Sequence, residues 1–303
     1  MARYLIRPSP VLEKMRSRIE RVLPGIYHAL LERQVRKEDR KYRKAIRDKI
    51  DSILAVEPFP LFDSVELETL NRCNNTCSFC PVNARDDRRE YRLMDEGLFR
   101  GIIGQLQGLD YRGALALYSN NEPLLDKRIL EFHRAARAAL PKARINLCTN
   151  GILLTRDSFL ELAELLDELI IDNYDDRLSL IRPLVEIQQL IEGTPELQQK
   201  VKIFIRRKNA IRKTRGGEAR NRRRLTSALR SSCALPFTQL VIRPDGKVSL
   251  CCQDALGKVT LGDASKDALE AIWRGEAYRV ARTALLEGRS ALELCSQCDH
   301  FVC

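Results

Sequence analysis

The sequence lacks any hydrophobic stretch long enough to cross a membrane, and it has few histidine side chains. No run of 18 apolar residues occurs in the 303-residue chain, so no membrane-spanning helix is predicted. Residues 1–8 contain no apolar segment of signal-peptide length, and we therefore expect a cytoplasmic protein without a membrane partner. The three histidines, His28, His133 and His300, show no ligand spacing, which leaves cysteine as the main candidate metal ligand.

Ten cysteines are the most informative feature of the composition. A reducing cytoplasm disfavours disulfides, and cysteines grouped at short spacing indicate a metal site. Three cysteines lie within residues 73–80 and six within residues 233–303, whereas Cys148 stands alone. The grouping predicts two metal sites, with Cys148 and Cys303 as spare thiols, although Cys303 could compete as a ligand.

The net charge of +11 is concentrated in one segment of the chain. Residues 201–230 contain twelve Lys or Arg against the single acid Glu218, an excess equal to the net charge of the whole chain. Nucleic-acid binding would need aromatic side chains interleaved with the basic ones, and only Phe204 is near, so nucleic acid is not an expected partner. The segment is interpreted as a solvated linker or, alternatively, as a source of cations such as Arg206 that reach a ligand pocket.

Hydrophobic periodicity divides the chain into three parts. Residues 1–62 are predicted to form a charged helical extension, residues 63–230 an alternating strand–helix domain, and residues 231–303 a small module with a β-hairpin. Strand–helix alternation predicts an α/β fold with a parallel sheet covered by helices, and its ligand site is expected at the carboxyl ends of the strands. The predicted strands span residues 64–69, 113–118, 145–148, 168–171 and 201–205.

The first cysteine group, Cys73, Cys77 and Cys80, has the spacing C-x3-C-x2-C and follows the first predicted strand. Thiolates are preferred ligands of iron–sulfur clusters, and three of them can hold three irons of a cube while the fourth iron stays open. A zinc site completed by a distant fourth ligand is the alternative.

With two later motifs, this loop resembles the radical S-adenosylmethionine (SAM) superfamily. Asn120, Asn121 and Glu122 follow the second predicted strand and resemble the family's Gly-Gly-Glu-Pro stretch, with two asparagines where the family has glycines. Thr149 and Asn150 end the third predicted strand and resemble the family's Thr-Asn-Gly turn near the SAM ribose.

The resemblance extends over roughly residues 64–210 and implies a partial (β/α)6 barrel. It implies that Cys73, Cys77 and Cys80 hold a [4Fe–4S] cluster, and that the Asn120–Glu122 and Thr149–Asn150 motifs bind SAM. Arg206 is a further candidate for binding the carboxylate of the cofactor. SAM bound in this way yields a 5′-deoxyadenosyl radical, for which an external one-electron reductant such as flavodoxin or ferredoxin is expected.

The second cysteine group comprises Cys233, Cys251, Cys295 and Cys298. Four thiolates fit either zinc or a second [4Fe–4S] cluster. Their spacing resembles the SPASM auxiliary-cluster module of the same superfamily, in its shortened one-cluster (twitch) form. Cys252, beside Cys251, is either a catalytic hydrogen donor of the kind radical SAM epimerases use or a half-buried small side chain.

The cysteine layout is similar to that of aminocyclitol and aminoglycoside enzymes in the superfamily. It implies hydrogen abstraction from a sugar-like or aminocyclitol substrate, giving epimerisation or dehydrogenation. A maturase of ribosomal peptides is the first alternative, although residues 1–60 lack a strand pattern for peptide docking, and a zinc-binding interaction protein is the second. An acidic group after the fourth strand either contacts the substrate or forms a solvated loop. Its members are Asp172, Tyr174, Asp175 and Asp176.

Overall fold

The computed structural model describes residues 4–301 as helices and strands that alternate through most of the chain. The strands are β1 Leu5–Ile6, β2 Ser64–Leu67, β3 Ala114–Ala116, β4 Arg144–Thr149, β5 Glu168–Tyr174, β6 Val201–Arg206, β7 Gln239–Ile242, β8 Lys247–Ser249 and β9 Thr260–Asp263. The helices are α1 Pro10–Val22, α2 Pro24–Leu54, α3 Glu96–Gly108, α4 Ile129–Ala139, α5 Arg156–Leu165, α6 Arg182–Glu192, α7 Pro195–Lys200, α8 Leu235–Thr238, α9 Leu269–Arg274, α10 Glu276–Glu287 and α11 Glu293–Ser296.

The nine strands form one sheet in the order β1-β6-β5-β4-β3-β2-β7-β8-β9. All pairs from β1 to β7 are parallel, and β7, β8 and β9 form an antiparallel meander. Helices connect the successive parallel strands, as a parallel sheet requires. The predicted α/β fold is therefore confirmed, and its strand ends meet at one edge of the sheet.

The region predicted to be purely helical contains one strand, so that prediction is wrong for Leu5–Ile6. These two residues pair in parallel with Ile203 and Phe204 of β6. A two-residue strand is too short to show an alternating hydrophobic pattern. It forms because it provides hydrogen-bond partners for backbone N–H and C=O groups of β6 that would otherwise be unpaired at the edge of the sheet.

Local sequence signals fix several helix starts around the sheet. Asp95 caps α3 by accepting a hydrogen bond of 3.1 Å from the amide of Leu98, and Thr155 and Ser158 form a capping box at α5. The faces of α3 and α4 meet through Phe99 and Phe132, whose rings stack with centroids 4.0 Å apart in the buried core. These contacts hold the helices that follow β2 and β3 against the sheet.

The C-terminal module is anchored to the chain just before β2. The indole of Trp273 is fully buried and donates a hydrogen bond of 2.9 Å to the carbonyl of Pro60. The guanidinium of Arg282 lies 4.1 Å from the centre of the Trp273 ring and donates to the carbonyls of Trp273 and Pro236. The module therefore packs on the sheet through a buried aromatic–arginine contact.

None of the helices within residues 4–301 has the length and apolar character that crossing a lipid bilayer would require.

Candidate active site

The loop after β2 brings Cys73, Cys77 and Cys80 together at the carboxyl edge of the sheet. Burial raises the pKa of the Cys73 thiol to about 12. Burial also raises the pKa of Cys77, and the nearby Cys73 and Cys80, which line the same cavity, raise it further. Thiols held neutral in this way become good ligands once a cationic metal centre offsets the cost of their negative charge. The donor set therefore fits an iron–sulfur cluster.

Among residues 4–301, no group of three or more His, Cys, Asp or Glu side chains converges as the ligands of a single metal ion do.

Glu122 links the motif after β3 to the turn after β4. Its Oε1 accepts a hydrogen bond of 2.6 Å from the Thr149 hydroxyl, and its Oε2 accepts one of 2.7 Å from the amide of Asn150. The amide of Leu124 also donates to Oε1 at 3.1 Å. Glu122 is buried, and burial raises its pKa. Both of its oxygens are engaged by the chain, so the carboxyl group shapes the edge of the site through Thr149 and Asn150.

Asn150 in turn contacts the cysteine loop. Its Nδ2 donates a hydrogen bond of 2.7 Å to Oδ1 of Asn74 and lies 3.8 Å from the sulfur of Cys73. The three sequence motifs are thus joined into one network by direct contacts between side chains. No spacing in the sequence specifies these contacts, because they depend on how the strand ends converge.

A cavity of about 230 Å³ lies between these motifs. Three side-chain donors that line it are buried and have no hydrogen-bond partner within the described chain: Nδ2 of Asn75, Nδ2 of Asn121 and Nε of Arg215. Unpaired buried donors are costly unless a ligand supplies acceptors. The cavity therefore fits a ligand rich in carboxylate and hydroxyl oxygens, as the methionyl and ribose groups of SAM are.

Asn120 occupies the side of the cavity that faces the C-terminal module. Its backbone amide donates to Glu68 Oε1 at 3.0 Å, and its Nδ2 donates to the carbonyl of Cys252 at 3.1 Å. Its Oδ1 accepts a hydrogen bond from Arg215. Asn120 is thus held by three groups from distant parts of the chain.

Arg206 does not line the cavity within the described chain. Its guanidinium forms an ion pair of 2.7 Å with Asp172 and lies 4.4 Å from the centre of the Phe204 ring. Asp172 and Tyr174 are at the cavity instead. Arg206 therefore sits behind the cavity wall, where it balances the charge of Asp172.

The acidic group after the fourth strand is divided by the structure. Asp172 and Tyr174 line the cavity, and the Tyr174 hydroxyl donates to Asp172 at 3.0 Å. Asp175 accepts from the amide of Ser179 outside the cavity. Asp176, also outside it, accepts hydrogen bonds from Asn209. The division follows from β5, which extends to Tyr174 rather than ending at residue 171.

Arg215 is a cavity residue that the sequence does not single out within the basic segment. Its backbone φ of 53° is unusual for a residue other than glycine and often marks a functional site. The segment is only in part a solvated linker, since Arg207 binds Glu13 and Glu20 at 2.9 and 2.7 Å. Arg222 forms a buried pair with Asp299.

The second cysteine group lies in the C-terminal module. Cys233, Cys251, Cys295 and Cys298 are all buried. Burial raises the pKa of Cys251, and the neighbouring thiols raise it further, Cys252 first and then Cys233, Cys298 and Cys295. Burial also raises the pKa of Cys295 and Cys298, and the buried guanidinium of Arg289 offsets part of that rise. An all-thiol set of four fits a [4Fe–4S] cluster, which takes four thiolate ligands.

Cys252 lies between the two groups. Burial raises the pKa of its thiol to about 12, and the neighbouring carboxylate of Glu66 raises it further while Arg215 lowers it. The strand β8 ends at Ser249, so Cys251 and Cys252 lie in the turn that follows rather than on the strand. Cys252 is thus a neighbour of Glu66 on β2 and of Arg215, and Cys298 of the second group also raises its pKa.

Comparison with protein families gives two matches. The profile of the Radical SAM superfamily matches residues 67–212, and that of an iron–sulfur cluster-binding domain named SPASM matches residues 233–299. A curated relative, S-adenosyl-L-methionine-dependent 2-deoxy-scyllo-inosamine dehydrogenase of Niallia circulans, is 29% identical over 242 residues, which are 79% of this chain and 94% of the relative.

Solved structures with the same fold include BtrN in complex with AdoMet and 2-DOIA. It is 25% identical with a TM-score of 0.67 and covers 80% of this chain and 99% of its own. The structure of native anSMEcpe with bound AdoMet shares the fold at 14% identity, with a TM-score of 0.53 and coverage of 77% and 88%.

These matches identify the cofactors as SAM and two [4Fe–4S] clusters, and they replace the interpretation as a zinc-binding interaction protein. The chain belongs to the radical SAM superfamily and carries a C-terminal SPASM cluster-binding module.

Proposed function

We propose that the protein is a radical SAM dehydrogenase that oxidises a carbinol carbon of an aminocyclitol or a similar amino sugar. The dehydrogenase of Niallia circulans, which is similar over nearly its whole length, supports this substrate class. One structural observation supports oxidation in particular. The second cysteine group adjoins the cavity through consecutive residues, Cys251 and Cys252, and the carbonyl of Cys252 is bound to Asn120 at the cavity.

We propose that Cys73, Cys77 and Cys80 hold the first cluster and that Cys233, Cys251, Cys295 and Cys298 hold the second. When bound, these cofactors supply a 5′-deoxyadenosyl radical that removes a hydrogen atom and an acceptor for the electron left on the substrate. The predicted division of the chain at residues 62 and 230 and its cytoplasmic location remain predictions.

The residues of the chain position the reactants. Glu122 fixes Thr149 and Asn150, and Asn121 offers an unpaired donor to the cofactor. Asp172 and Tyr174 offer acceptor and hydroxyl groups to a polyhydroxylated ring. Holding the substrate carbon close to the cofactor supplies much of the rate enhancement, because the reaction then proceeds within one complex.

Glu66 is the candidate acceptor for the hydroxyl proton that oxidation releases. Burial raises its pKa to about 7, and its Oε1 accepts a hydrogen bond of 2.8 Å from Gln239. Its Oε2 has no partner within the described residues, and Ser119 and Arg215, which line the cavity, are its neighbours. A carboxylate with a pKa near neutral can accept a proton at physiological pH.

Epimerisation is the second candidate, and the position of Cys252 favours it. Its half-buried thiol lies near Glu66, Arg215 and Tyr118, where it could return a hydrogen atom to a substrate radical.

The two reactions differ in their products. The enzyme, reconstituted without oxygen, is incubated with SAM, dithionite and 2-deoxy-scyllo-inosamine in deuterated water. A dehydrogenase yields a ketone that lacks two hydrogen atoms, whereas an epimerase yields an isomer that carries one solvent deuterium. Mass spectrometry separates the two, and the absence of both products from this and related aminocyclitols contradicts the proposed substrate class.

A further inference from the structure

The α1–α2 hairpin has an outer surface, here called the hairpin face, that is unusually apolar. Eight large hydrophobic side chains are more than half exposed in the described chain, and six of them belong to this hairpin. They are Val11, Leu12, Met15, Val22, Ile26 and Leu30. Such a concentration of exposed apolar side chains marks an interaction site.

The hairpin face is also uniformly basic. Every exposed charged side chain between residues 11 and 37 is a cation, and the set comprises Lys14, Arg18, Arg21, Arg33 and Lys37. The acids of the same stretch are half-buried. Glu13 and Glu20 bind Arg207, and Glu32 binds Arg36 at 2.8 Å. Two copies of this face would repel each other, so its charge fits an acidic partner.

The concave surface beside the hairpin face favours a protein partner over a lipid surface. A cleft of about 470 Å³ lies between α2 and the segment of residues 211–222. Leu30, Leu31, Arg16 and Lys213 are among the residues that line it. A protruding element of a folded protein can enter such a cleft, whereas a planar bilayer cannot.

The hairpin face lies one layer of chain away from the first cysteine loop. On one side of this layer, Arg16 of α1 donates a hydrogen bond of 2.9 Å to the carbonyl of Ile211. On the other side, the amide of Ser78 donates to the carbonyl of Lys208 at 3.1 Å. The guanidinium of Arg212 lies 5.1 Å from the centre of the Phe79 ring, between Cys77 and Cys80 in the sequence.

We propose that the hairpin face docks an acidic electron-donor protein of the flavodoxin class. The reduced flavin of the donor loses one electron, the cluster held by the Cys73–Cys80 loop gains it, and no atom is transferred. Arg212 and Phe79 occupy the layer between donor and cluster. This inference rests on the proposed function, in which the first cluster needs one electron to cleave SAM.

The test reverses three exposed charges and measures binding directly. The variant Arg18→Glu/Arg21→Glu/Arg33→Glu is compared with Arg112→Glu/Arg134→Glu/Lys266→Glu, which changes the net charge equally at exposed positions elsewhere. The binding is measured by calorimetric titration of reconstituted enzyme with an FMN-loaded bacterial flavodoxin. We expect the affinity of the first variant to be reduced at least about tenfold and that of the second to be unchanged. The wild-type affinity is expected to fall as salt rises.

A second readout separates docking from chemistry. With reduced flavodoxin, formation of 5′-deoxyadenosine is expected to be about tenfold slower in the first variant, whereas dithionite supports equal rates in all three proteins because it needs no docking surface. Flavodoxin that fails to bind the wild-type enzyme, or that binds both variants equally, overturns the proposal. Loss of binding to anionic phosphatidylglycerol vesicles by the first variant, with flavodoxin binding intact, overturns it in favour of a membrane surface.

Failure of the proposed function gives a different result. In that case the wild-type enzyme forms 5′-deoxyadenosine with dithionite but no product from aminocyclitols, while the titration with flavodoxin still reports whether the hairpin face docks it.

Discussion

The side-chain amide of Asn120 donates a hydrogen bond of 3.1 Å to the carbonyl oxygen of Cys252. This contact joins the cavity at the ends of the parallel strands to the C-terminal module. Cys251, the preceding residue, is buried like the other three cysteines of the second group, whose thiols raise its pKa. Cys252, which contacts the cavity residue Asn120, is therefore adjacent in sequence to a proposed ligand of the second cluster. A substrate in the cavity would lie near that cluster, as a dehydrogenase requires.

Replacement of Cys252 distinguishes a dehydrogenase from an epimerase. We expect Cys252→Ala to retain most of the ketone-forming activity, because the thiol is not a ligand in our assignment and oxidation needs no hydrogen donor. The measurement is the ratio of ketone to 5′-deoxyadenosine. A variant that forms 5′-deoxyadenosine but no product would instead identify Cys252 as the hydrogen donor of an epimerase.

Loss of two cysteines of the second group should separate the two clusters. We expect Cys295→Ala/Cys298→Ala to lose about four of about eight irons and still cleave SAM, while its yield of ketone falls at least about tenfold. Iron analysis and product analysis are made on the same preparation, with Cys252→Ala as the control. Full ketone yield in the double variant would contradict the role of the second cluster as the electron acceptor.

Glu122 should control the binding of SAM through its neighbours. In Glu122→Gln, one carboxylate oxygen becomes an NH₂ group, which cannot accept the hydrogen bond from the amide of Asn150 or, in the other orientation, the one from the amide of Leu124, so the network is weakened. We expect about tenfold weaker SAM binding, or ~1.4 kcal/mol, by equilibrium dialysis of the reconstituted enzyme. Glu131→Gln on the exposed face of α4 serves as the control. Unchanged affinity in the Glu122 variant would show that the network does not support the site.

The sequence is sufficient to predict the parts of the site that depend on one strand end each. Cys73, Glu122 and Asn150 follow three predicted strands, and parallel strands bring such positions to a common edge. The contacts of Arg206 and Arg215 could not be predicted in the same way. Both lie in one basic stretch, yet Arg206 pairs with Asp172 while Arg215 reaches Asn120, 95 residues away. Such pairings depend on the path of the loop after β6.

The stability of the protein should fall in mild acid because of His133. This side chain is fully buried, and burial lowers its pKa to about 4, below the value of about 6.5 in an unfolded chain. The unfolded chain therefore takes up a proton that the folded protein does not as the pH falls through 6.5. The free energy of unfolding is therefore highest above that pH and falls as the pH approaches 4. The loss at pH 5 is ~2 kcal/mol.

Denaturant unfolding at pH 7 and pH 5 measures this loss in the wild-type protein and in His133→Leu. Comparing the two pH values within each protein cancels the packing cost of the substitution. We expect the variant to lose ~2 kcal/mol less than the wild type between the two values. Equal losses would contradict the assignment to His133.

The central claim is that the Cys73–Cys80 loop holds a cluster that cleaves SAM. The most direct measurement is the formation of 5′-deoxyadenosine from SAM and dithionite by protein purified and reconstituted without oxygen, together with an iron and sulfide count. We predict 5′-deoxyadenosine, its loss in Cys77→Ala, and about eight irons per chain in the wild type. Protein that binds the full complement of iron but cleaves no SAM, or whose Cys77→Ala variant cleaves it equally well, would contradict the account.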